Sequence, residues 1–265
     1  MLAAGWRVSG TCREAEKVAQ LRKDGINAFV FDGETSPDSI SDVLQGATHI
    51  LSTVAPAATG DPVLACYSET LKAISPIWVG YVSTSSVYGN HNGRWVDEAT
   101  PIAPTDNRGA RRVEMEQAWS SLGLPHHIFR IVGIYGPGRN SLESLKKGTV
   151  RSINKKGHVF CRIHRDDIVA ALAASATRPT PYEVYNIGDD EPAPPQDVVT
   201  YAAGLMGISP PPVLKYEDAE LTPMLKSFYG NNRRVSNTKM KELLGVTLQH
   251  PTYREGLTSL YKRMV

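Results

Sequence analysis

The sequence of 265 residues is poor in the features that define several classes of protein. Its three cysteines, Cys12, Cys66 and Cys161, are far apart and form no CxxC pair, which argues against a disulfide framework and for a reducing compartment. No apolar run approaches the roughly 20 residues of a membrane helix, and the first residues, MLAAGWRVSG, lack the pattern of a secretory signal. The net charge is only +2. We therefore expect a soluble, cytoplasmic protein without a nucleic-acid or membrane partner.

What is present is an alternation of short apolar strands and amphipathic helical segments. The strands include AFVFDG, THILSTVA, WVGYVSTSS, HHIFRIVGIYG and EVYNIG. Near-continuous apolar strands that alternate with helices of about 10–15 residues predict a parallel sheet covered on both faces. The fold class expected is therefore α/β, a doubly wound parallel sheet. The chain becomes irregular and rich in proline after Pro210, which indicates a small C-terminal lobe.

Several segments resemble the extended and atypical short-chain dehydrogenase/reductases, a family that includes NAD(P)-dependent sugar epimerases and dehydratases. Residues 81–89, YVSTSSVYG, are similar to the strand that carries the family's active-site Ser or Thr. The other similar segments, in chain order, are FRIVGIYGPGR, RIHRDDIVAAL, VYNIGDDEP and PTYREGL. Each motif alone is weak, but together, in this order, they cover nearly the whole chain.

The resemblance implies a Rossmann-type fold in a single domain, residues 1–265. Residues 1–135 and 159–188 are expected to form its cofactor-binding core, and residues 136–158 and 189–265 its substrate-side lobe. The family opens with a strand and a turn of the form G-x-x-G-x-x-G, which lets the backbone approach the cofactor pyrophosphate. Residues 1–5, MLAAG, instead match the end of the helix that follows this turn. We expect a truncated gene model rather than a minimal fold, because losing a central strand would leave its neighbours unpaired.

The family's catalytic Tyr and Lys are replaced here by arginines. Aligning RGARRVEMEQ on the pattern Tyr-Gly-x-x-Lys places Arg108 at the Tyr and Arg112 at the Lys. A guanidinium stays protonated and cannot act as the acid, although it can bind an anion or polarise a carbonyl. The alternative interpretation is a helix face of ion pairs, in which Arg108, Arg112 and Glu116 follow one another at four-residue intervals.

Three more residues are candidates for the chemistry. The resemblance puts Thr84 at the active-site hydroxyl, and a hydroxyl at the end of a strand can hydrogen-bond a substrate oxygen, although β-propensity also explains a Thr there. Tyr88 is a candidate proton donor, as is a cofactor-bound water. Asp61 either occupies the place of the family's active-site Asn or caps the helix that begins at Pro62.

The cofactor expected is NADP, with NAD as the alternative. Thr11 and Arg13 end the first strand, where an acid would favour NAD and an Arg favours the 2′-phosphate of NADP. Asp32, after the next strand, resembles the acid that contacts adenine. The remaining cofactor contacts that the resemblance implies are Thr53, Val54, Ala55 and Ser83.

The function that this resemblance implies is hydride transfer to or from a carbonyl or hydroxyl group of a small-molecule substrate, in an NAD(P)-dependent oxidoreductase or epimerase-like enzyme. The alternative is a non-catalytic NADP-binding sensor or scaffold, which the loss of the Tyr and Lys supports. Gly133 stands where nucleotide-sugar enzymes often have Asn, which weakens the case for such a substrate. A homodimer is compatible with the resemblance.

No metal site is expected. His158, Cys161 and His164 have a spacing that resembles a metal motif. Alternate residues of a strand point to opposite faces, so these three side chains cannot converge without a bend.

Overall fold

The computed structural model describes residues 1–35 and 37–264, and within them strands and helices alternate as the sequence predicted. The strands are β1 (Ser9–Cys12), β2 (Asn27–Val30), β3 (His49–Ser52), β4 (Trp78–Thr84), β5 (Trp95–Val96), β6 (His126–Ile131), β7 (Gly133–Tyr135), β8 (Ser152–Asn154), β9 (Arg162–His164), β10 (Glu183–Ile187), β11 (Val213–Lys215) and β12 (Arg234–Val235). The helices are α1 (Ala15–Lys23), α2 (Asp38–Gln45), α3 (Pro62–Lys72), α4 (Asn107–Ser120), α5 (Ser141–Lys146), α6 (Arg165–Thr177), α7 (Pro195–Leu205), α8 (Pro223–Gly230), α9 (Thr238–Leu244) and α10 (Tyr253–Lys262).

The larger sheet has four strands in the order β10-β6-β4-β3, and β3 pairs with β4 in parallel. A second parallel pair is formed by β1 and β2, with Ser9 opposite Asn27 and Cys12 opposite Val30. Parallel strands connected by helices are the signature of an α/β fold, and the predicted fold class is confirmed. None of the helices within residues 1–35 and 37–264 has the length and apolar character needed to cross a bilayer.

Two strands have a free edge within the described residues. β1 pairs only with β2, and β3 lies at the end of the larger sheet. Residues of β1 are exposed or half-exposed along the whole strand, and Leu51 of β3 leaves 43% of its surface accessible. An unpaired strand edge of this kind can accept a further strand.

Local sequence signals explain where several helices begin. Asp61 caps α3 and Pro62 occupies its first turn, where the fixed φ of proline suits a helix. Pro195 has the same role in α7. Thr252 and Glu255 form a reciprocal capping box at the start of α10, within the PTYREGL motif. These helix starts are therefore encoded within a few residues of sequence.

Packing divides the chain into two compact units. The first consists of Met1–Val82, Glu114–Ile128 and Pro179–Glu183, and the second of Ser83–Val113, Phe129–Arg178 and the chain from Val184 on. These units follow packing, whereas the core and lobe inferred from the sequence follow function, and that functional division stays a prediction.

Each unit has its own buried apolar cluster. The first is rich in aromatic rings, and Tyr81 stacks on Trp119 with ring centroids 5.7 Å apart. The second brings together Leu142 of α5, Ala202 of α7 and Leu257 of α10, all of which are buried. Burial of such side chains is the dominant favourable contribution to the folding of each unit.

Candidate active site

The candidate site is centred on the chain reversal that follows β4. Thr84 is the last residue of this strand, and its Oγ1 accepts a hydrogen bond from the backbone N–H of Ser86 at 3.3 Å. This bond starts a 3-10 turn over Ser85–Tyr88. The Thr84 side chain is half-buried, and its hydroxyl hydrogen is still available to a bound oxygen. The position suits the predicted catalytic hydroxyl, a role that stays a prediction. Ser83, the preceding residue and a predicted cofactor contact, is buried.

Gly89 ends the turn and fixes the path of the chain beyond it. Its φ of +70° lies in the left-handed region, and a Cβ at this position would lie 1.9 Å from the carbonyl oxygen of Ala103. Only glycine satisfies both conditions. The Tyr-Gly pair of the motif therefore has a structural reason that does not depend on catalysis.

Tyr88 is enclosed in a network of buried polar groups. Its hydroxyl donates to Asn186 Oδ1 at 2.9 Å and accepts from Arg130 Nη1 at 2.9 Å. The Arg130 guanidinium also lies 4.9 Å from the centre of the Tyr88 ring. The Asn186 backbone N–H donates to Glu98 Oε1 at 2.7 Å, and so connects a carboxylate to the same network.

This network does not suit Tyr88 as a proton donor to a substrate. The side chain is fully buried, and burial raises its pKa above the ordinary value for tyrosine. Both hydrogen-bonding functions of the hydroxyl are already occupied by protein groups. We interpret Tyr88 as a structural residue, which counts against its expected role as an alternative acid.

Helix α4 begins directly against the Thr84–Tyr88 turn. Asp106 Oδ1 accepts the N–H of Gly109 at 2.7 Å and so caps the helix. A Cβ on Gly109 would lie 2.8 Å from the carbonyl oxygen of Ser86, so the helix could not come so close with any larger residue there. The start of α4, where the sequence alignment predicts the family's catalytic Tyr, is thus held against the turn.

Arg108, which the sequence alignment puts at that Tyr, faces the surface. It is exposed, and its guanidinium lies 5.6 Å from the centre of the Phe228 ring. A cation–π contact at an exposed site is worth only about 0.5–1 kcal/mol. Arg112, one turn further along α4, is half-buried. The exposure of Arg108 gives weight to a non-catalytic role, while the catalytic role proposed for both arginines stays a prediction.

Asp61 has the geometry of a helix cap. Its Oδ1 accepts the N–H groups of Val63 and Leu64 at 2.8 and 3.2 Å. Its Oδ2 accepts the indole N–H of Trp119 at 2.9 Å, and the side chain is buried. Because both carboxylate oxygens are occupied, the contacts favour the helix-cap interpretation over the active-site one.

The residues predicted to hold the cofactor lie at or just beyond the ends of β1, β2 and β3. Thr11 and Arg13 are exposed at the end of β1. Asp32, also exposed, follows β2 and accepts the backbone N–H groups of Thr35 and Glu34, which lower the pKa of its carboxyl. The residues after β3 are exposed or half-exposed: Thr53, Val54 and Ala55.

One group of His and Asp side chains in the described residues brings potential metal ligands together. One nitrogen or oxygen from each of His164, Asp167 and His250 lies within 4.8 Å of the others. However, the two imidazole rings are tilted by 36° with centroids only 3.9 Å apart, and His250 Nδ1 already lies 3.2 Å from Asp167 Oδ2. Asp167 accepts the N–H groups of Gln249 and His250. These contacts fit a hydrogen-bonded connection between the start of α6 and residues 249–250 better than they fit a metal centre.

Sequence reasoning missed two charged residues, one buried and one half-buried. Asp189, after β10, is only 3% exposed, and burial raises the pKa of its carboxyl to about 8. Arg233, just before β12, donates to the Gly89 carbonyl and lies beside the Thr84–Tyr88 turn. Asp189 belongs to a segment noted only as a family motif, and Arg233 to the region that looked irregular. No local signal in either segment predicts burial.

With this geometry in place, comparison with known proteins identifies the relatives of the chain. A functionally unknown conserved protein from Silicibacter pomeroyi is 47% identical in sequence, with a TM-score of 0.91 over 99% of this chain and 92% of that one. The UDP-glucuronic acid 4-epimerase of Bacillus cereus, solved in complex with NAD, is 17% identical, with a TM-score of 0.76 over 98% of this chain and 90% of the epimerase. No family model matches the chain.

A curated relative matches part of the chain. The 3-diazoavenalumate denitrifying reductase of a Streptomyces species is 30% identical over 156 residues, which are 54% of this chain. The match spans only 50% of the length of that reductase.

The fold is therefore that of the NAD-dependent epimerases and dehydratases of the short-chain dehydrogenase/reductase type, as the sequence motifs predicted. Within this class, the chain belongs to the same family as the Silicibacter pomeroyi protein, to which it is similar over almost its whole length.

Proposed function

We propose that the protein is a nicotinamide-dependent oxidoreductase or epimerase-like enzyme that acts on a carbonyl or hydroxyl group of a small molecule. The observation that supports this most is the position of Thr84. It ends β4, an inner strand of the parallel sheet, with its hydroxyl hydrogen available. Ligands of open α/β sheets bind beyond the carboxyl ends of the strands, so a substrate oxygen would meet this hydroxyl.

The residues present fit the adenosine end of a dinucleotide. Thr11 and Arg13 offer a hydroxyl and a cation beyond β1, and Asp32 offers a carboxylate beyond β2. In the described part of the chain, these residues are not accompanied by a glycine-rich turn that could hold the pyrophosphate. We infer a preference for NADP, since a guanidinium suits the 2′-phosphate. When bound, the nicotinamide group would donate or accept the hydride.

Within this proposal, each residue of the site has a limited role. Thr84 orients the substrate oxygen and donates a hydrogen bond to it. Tyr88 holds the turn in place and does not deliver a proton, because its hydroxyl is buried and committed. The proton then comes from water. Arg108 binds an anionic part of the substrate or only stabilises the helix surface.

The second candidate function is a non-catalytic NADP-binding sensor or scaffold. The specific observation in its favour is that Arg108, which the sequence alignment puts at the family's catalytic Tyr, is exposed and contacts Phe228. A sensor needs the cofactor contacts at Arg13 and Asp32, but it does not need the Thr84 hydroxyl.

A measurement of cofactor binding distinguishes both candidate functions from a protein that has this fold but binds no nicotinamide cofactor. We would measure the affinities of NADPH and NADH by fluorescence, using the chain preceded by an apolar strand and a G-x-x-G-x-x-G turn. NADPH should bind at least about tenfold more tightly than NADH, because a charge-assisted contact is worth roughly 1.5–3 kcal/mol. Arg13→Ala should remove most of this preference, whereas Arg7→Ala provides a control. Equal affinities for both cofactors would contradict the assignment to NADP.

Turnover then separates the enzyme from the sensor. With a panel of small carbonyl compounds and NADPH, Thr84→Ala should lose at least about 100-fold in kcat, while Thr84→Ser keeps most of the activity. NADPH affinity should be unchanged in both variants. If cofactor binds but neither the parent chain nor Thr84→Ser oxidises it with any carbonyl compound, the sensor is the better assignment.

A further inference from the structure

Arg233 is held in a fixed position beside the residue that follows Thr84. Its Nη1 donates to the carbonyl oxygen of Gly89 at 2.7 Å, and its Nη2 donates to Ser85 Oγ at 3.4 Å. The side chain is half-buried, and burial lowers the pKa of its guanidinium. The two contacts hold the planar guanidinium group between Ser85 and Gly89.

The guanidinium has donors that the protein does not use. Its Nε–H is inaccessible to solvent and has no hydrogen-bond partner among the described residues. In that same part of the chain, no carboxylate forms an ion pair with Arg233. Asp106 is a carboxylate whose charge acts on it, but the Asp106 oxygens are occupied by the Gly109 N–H and by Asn231 Nδ2.

A buried N–H of a charged group is unfavourable when nothing accepts its hydrogen bond. A guanidinium presents its N–H groups in a planar fork that matches the two oxygens of a carboxylate or phosphate. The unused donors of Arg233 therefore define the missing partner by its chemistry. It is an oxyanion small enough to reach the guanidinium next to the Thr84–Tyr88 turn.

We propose that Arg233 is the anion-recognising residue of the substrate site, and that the substrate carries a carboxylate or phosphate group. This inference rests on the proposed function and gives its substrate class. The anionic group binds at Arg233 and orients the substrate, while the reacting oxygen is held at Thr84. Arg108 on the exposed start of α4 is not needed for this recognition.

The neighbouring Arg234 provides a matched control. It also donates to a backbone carbonyl, that of Gly93, and it is also half-buried. It belongs to β12, which pairs with β5, and within this pair Arg234 lies opposite Trp95. Arg233→Lys and Arg234→Lys thus make the same chemical change at adjacent positions.

The experiment titrates the full chain with sodium acetate, inorganic phosphate or sodium chloride at constant ionic strength and without cofactor. The Nε–H signals of ¹⁵N-labelled arginines report binding directly, and the missing signal in Arg233→Lys assigns Arg233. We expect a saturable shift of the Arg233 signal with acetate or phosphate and none with chloride. The oxyanion that binds more tightly identifies the anionic group of the substrate.

Thermal unfolding measured in parallel compares the variants. The oxyanion that shifts the signal should also raise the melting temperature, with an apparent affinity at least about tenfold weaker in Arg233→Lys and unchanged in Arg234→Lys. No saturable shift with either oxyanion in the unsubstituted chain would overturn the proposal, and so would equal losses in both variants. Because no cofactor is present, an intact anion response without NADPH binding would contradict only the proposed function.

Discussion

Two groups of polar side chains, one in each compact unit, find hydrogen-bond partners at different distances along the sequence. In the first, Asp61 and Asp32 accept hydrogen bonds from backbone N–H groups within three residues of themselves. In the second, Tyr88 binds Arg130 and Asn186, which are 42 and 98 residues away in the sequence. Local contacts form with the helix or turn that contains them, whereas the long-range network requires the whole unit to be folded. Substitutions in the second unit should therefore have the larger effects.

The largest expected effect is a pH dependence that contrasts two aspartates. Burial raises the pKa of Asp189, in the second unit, to about 8 from its ordinary value of 3.8, so the native state holds a proton that the unfolded state releases. Stability should therefore fall as pH rises between about 4 and 8, by up to about 1.4 kcal/mol per pH unit. Asp189→Asn keeps the shape without the ionisation, and its urea midpoint should not show this decline.

Asp32, in the first unit, provides the opposite case. Its pKa is lowered by backbone hydrogen bonds, so its contribution to stability is present at neutral pH and is lost as pH falls through the native pKa. Asp32→Asn should therefore lower the unfolding midpoint at neutral pH, and its difference from the parent chain should shrink as the pH falls through the native pKa of Asp32. If the urea midpoints of Asp189→Asn and of the parent chain change in parallel between pH 5 and 8, the pKa of Asp189 is not raised in the native state.

The next effect concerns the buried network itself. Tyr88→Phe removes the hydroxyl and leaves Arg130 Nη1 and Asn186 Oδ1 without that partner. A buried polar group without its partner costs about 1–3 kcal/mol, so the free energy of unfolding in urea should fall by at least that amount. Tyr182→Phe, at a position 62% exposed in the first unit, should change it by less than about 0.5 kcal/mol. If Tyr88→Phe and Tyr182→Phe lowered the free energy of unfolding equally, the buried network around Tyr88 would not contribute the stability expected of it.

The smallest effect is expected at Arg108. Its contact with Phe228 is at the surface, so Arg108→Ala should reduce the free energy of unfolding by less than about 1 kcal/mol. In the enzyme, KM should stay within about threefold of the parent value, since anion recognition is assigned to Arg233. An increase of about tenfold or more in KM, with stability unchanged, would instead place the substrate anion at Arg108.

The difference between the units also explains how much could be predicted from the sequence. The main alternation of strands and helices and the fold class depend on periodicity and on residues close together in the chain, and both were predicted. The cap at Asp61 was one of two interpretations that the sequence left open. The burial of Tyr88 was not predicted, because it depends on Arg130 and Asn186, which reach it only through the sheet. Arg233 was missed for the same reason, since its partners Ser85 and Gly89 lie far earlier in the chain.

The close approach of Gly109 to the Ser86 carbonyl limits what can change at the start of α4. A Cβ at position 109 would lie 2.8 Å from that oxygen, so a substitution of Gly109 would push the helix away from the Thr84–Tyr88 turn. Arg108 is exposed, so its side chain can be exchanged while the backbone of the turn and of the helix stays in place. The start of α4 therefore combines a fixed backbone with a neighbouring side-chain position that is open to substitution.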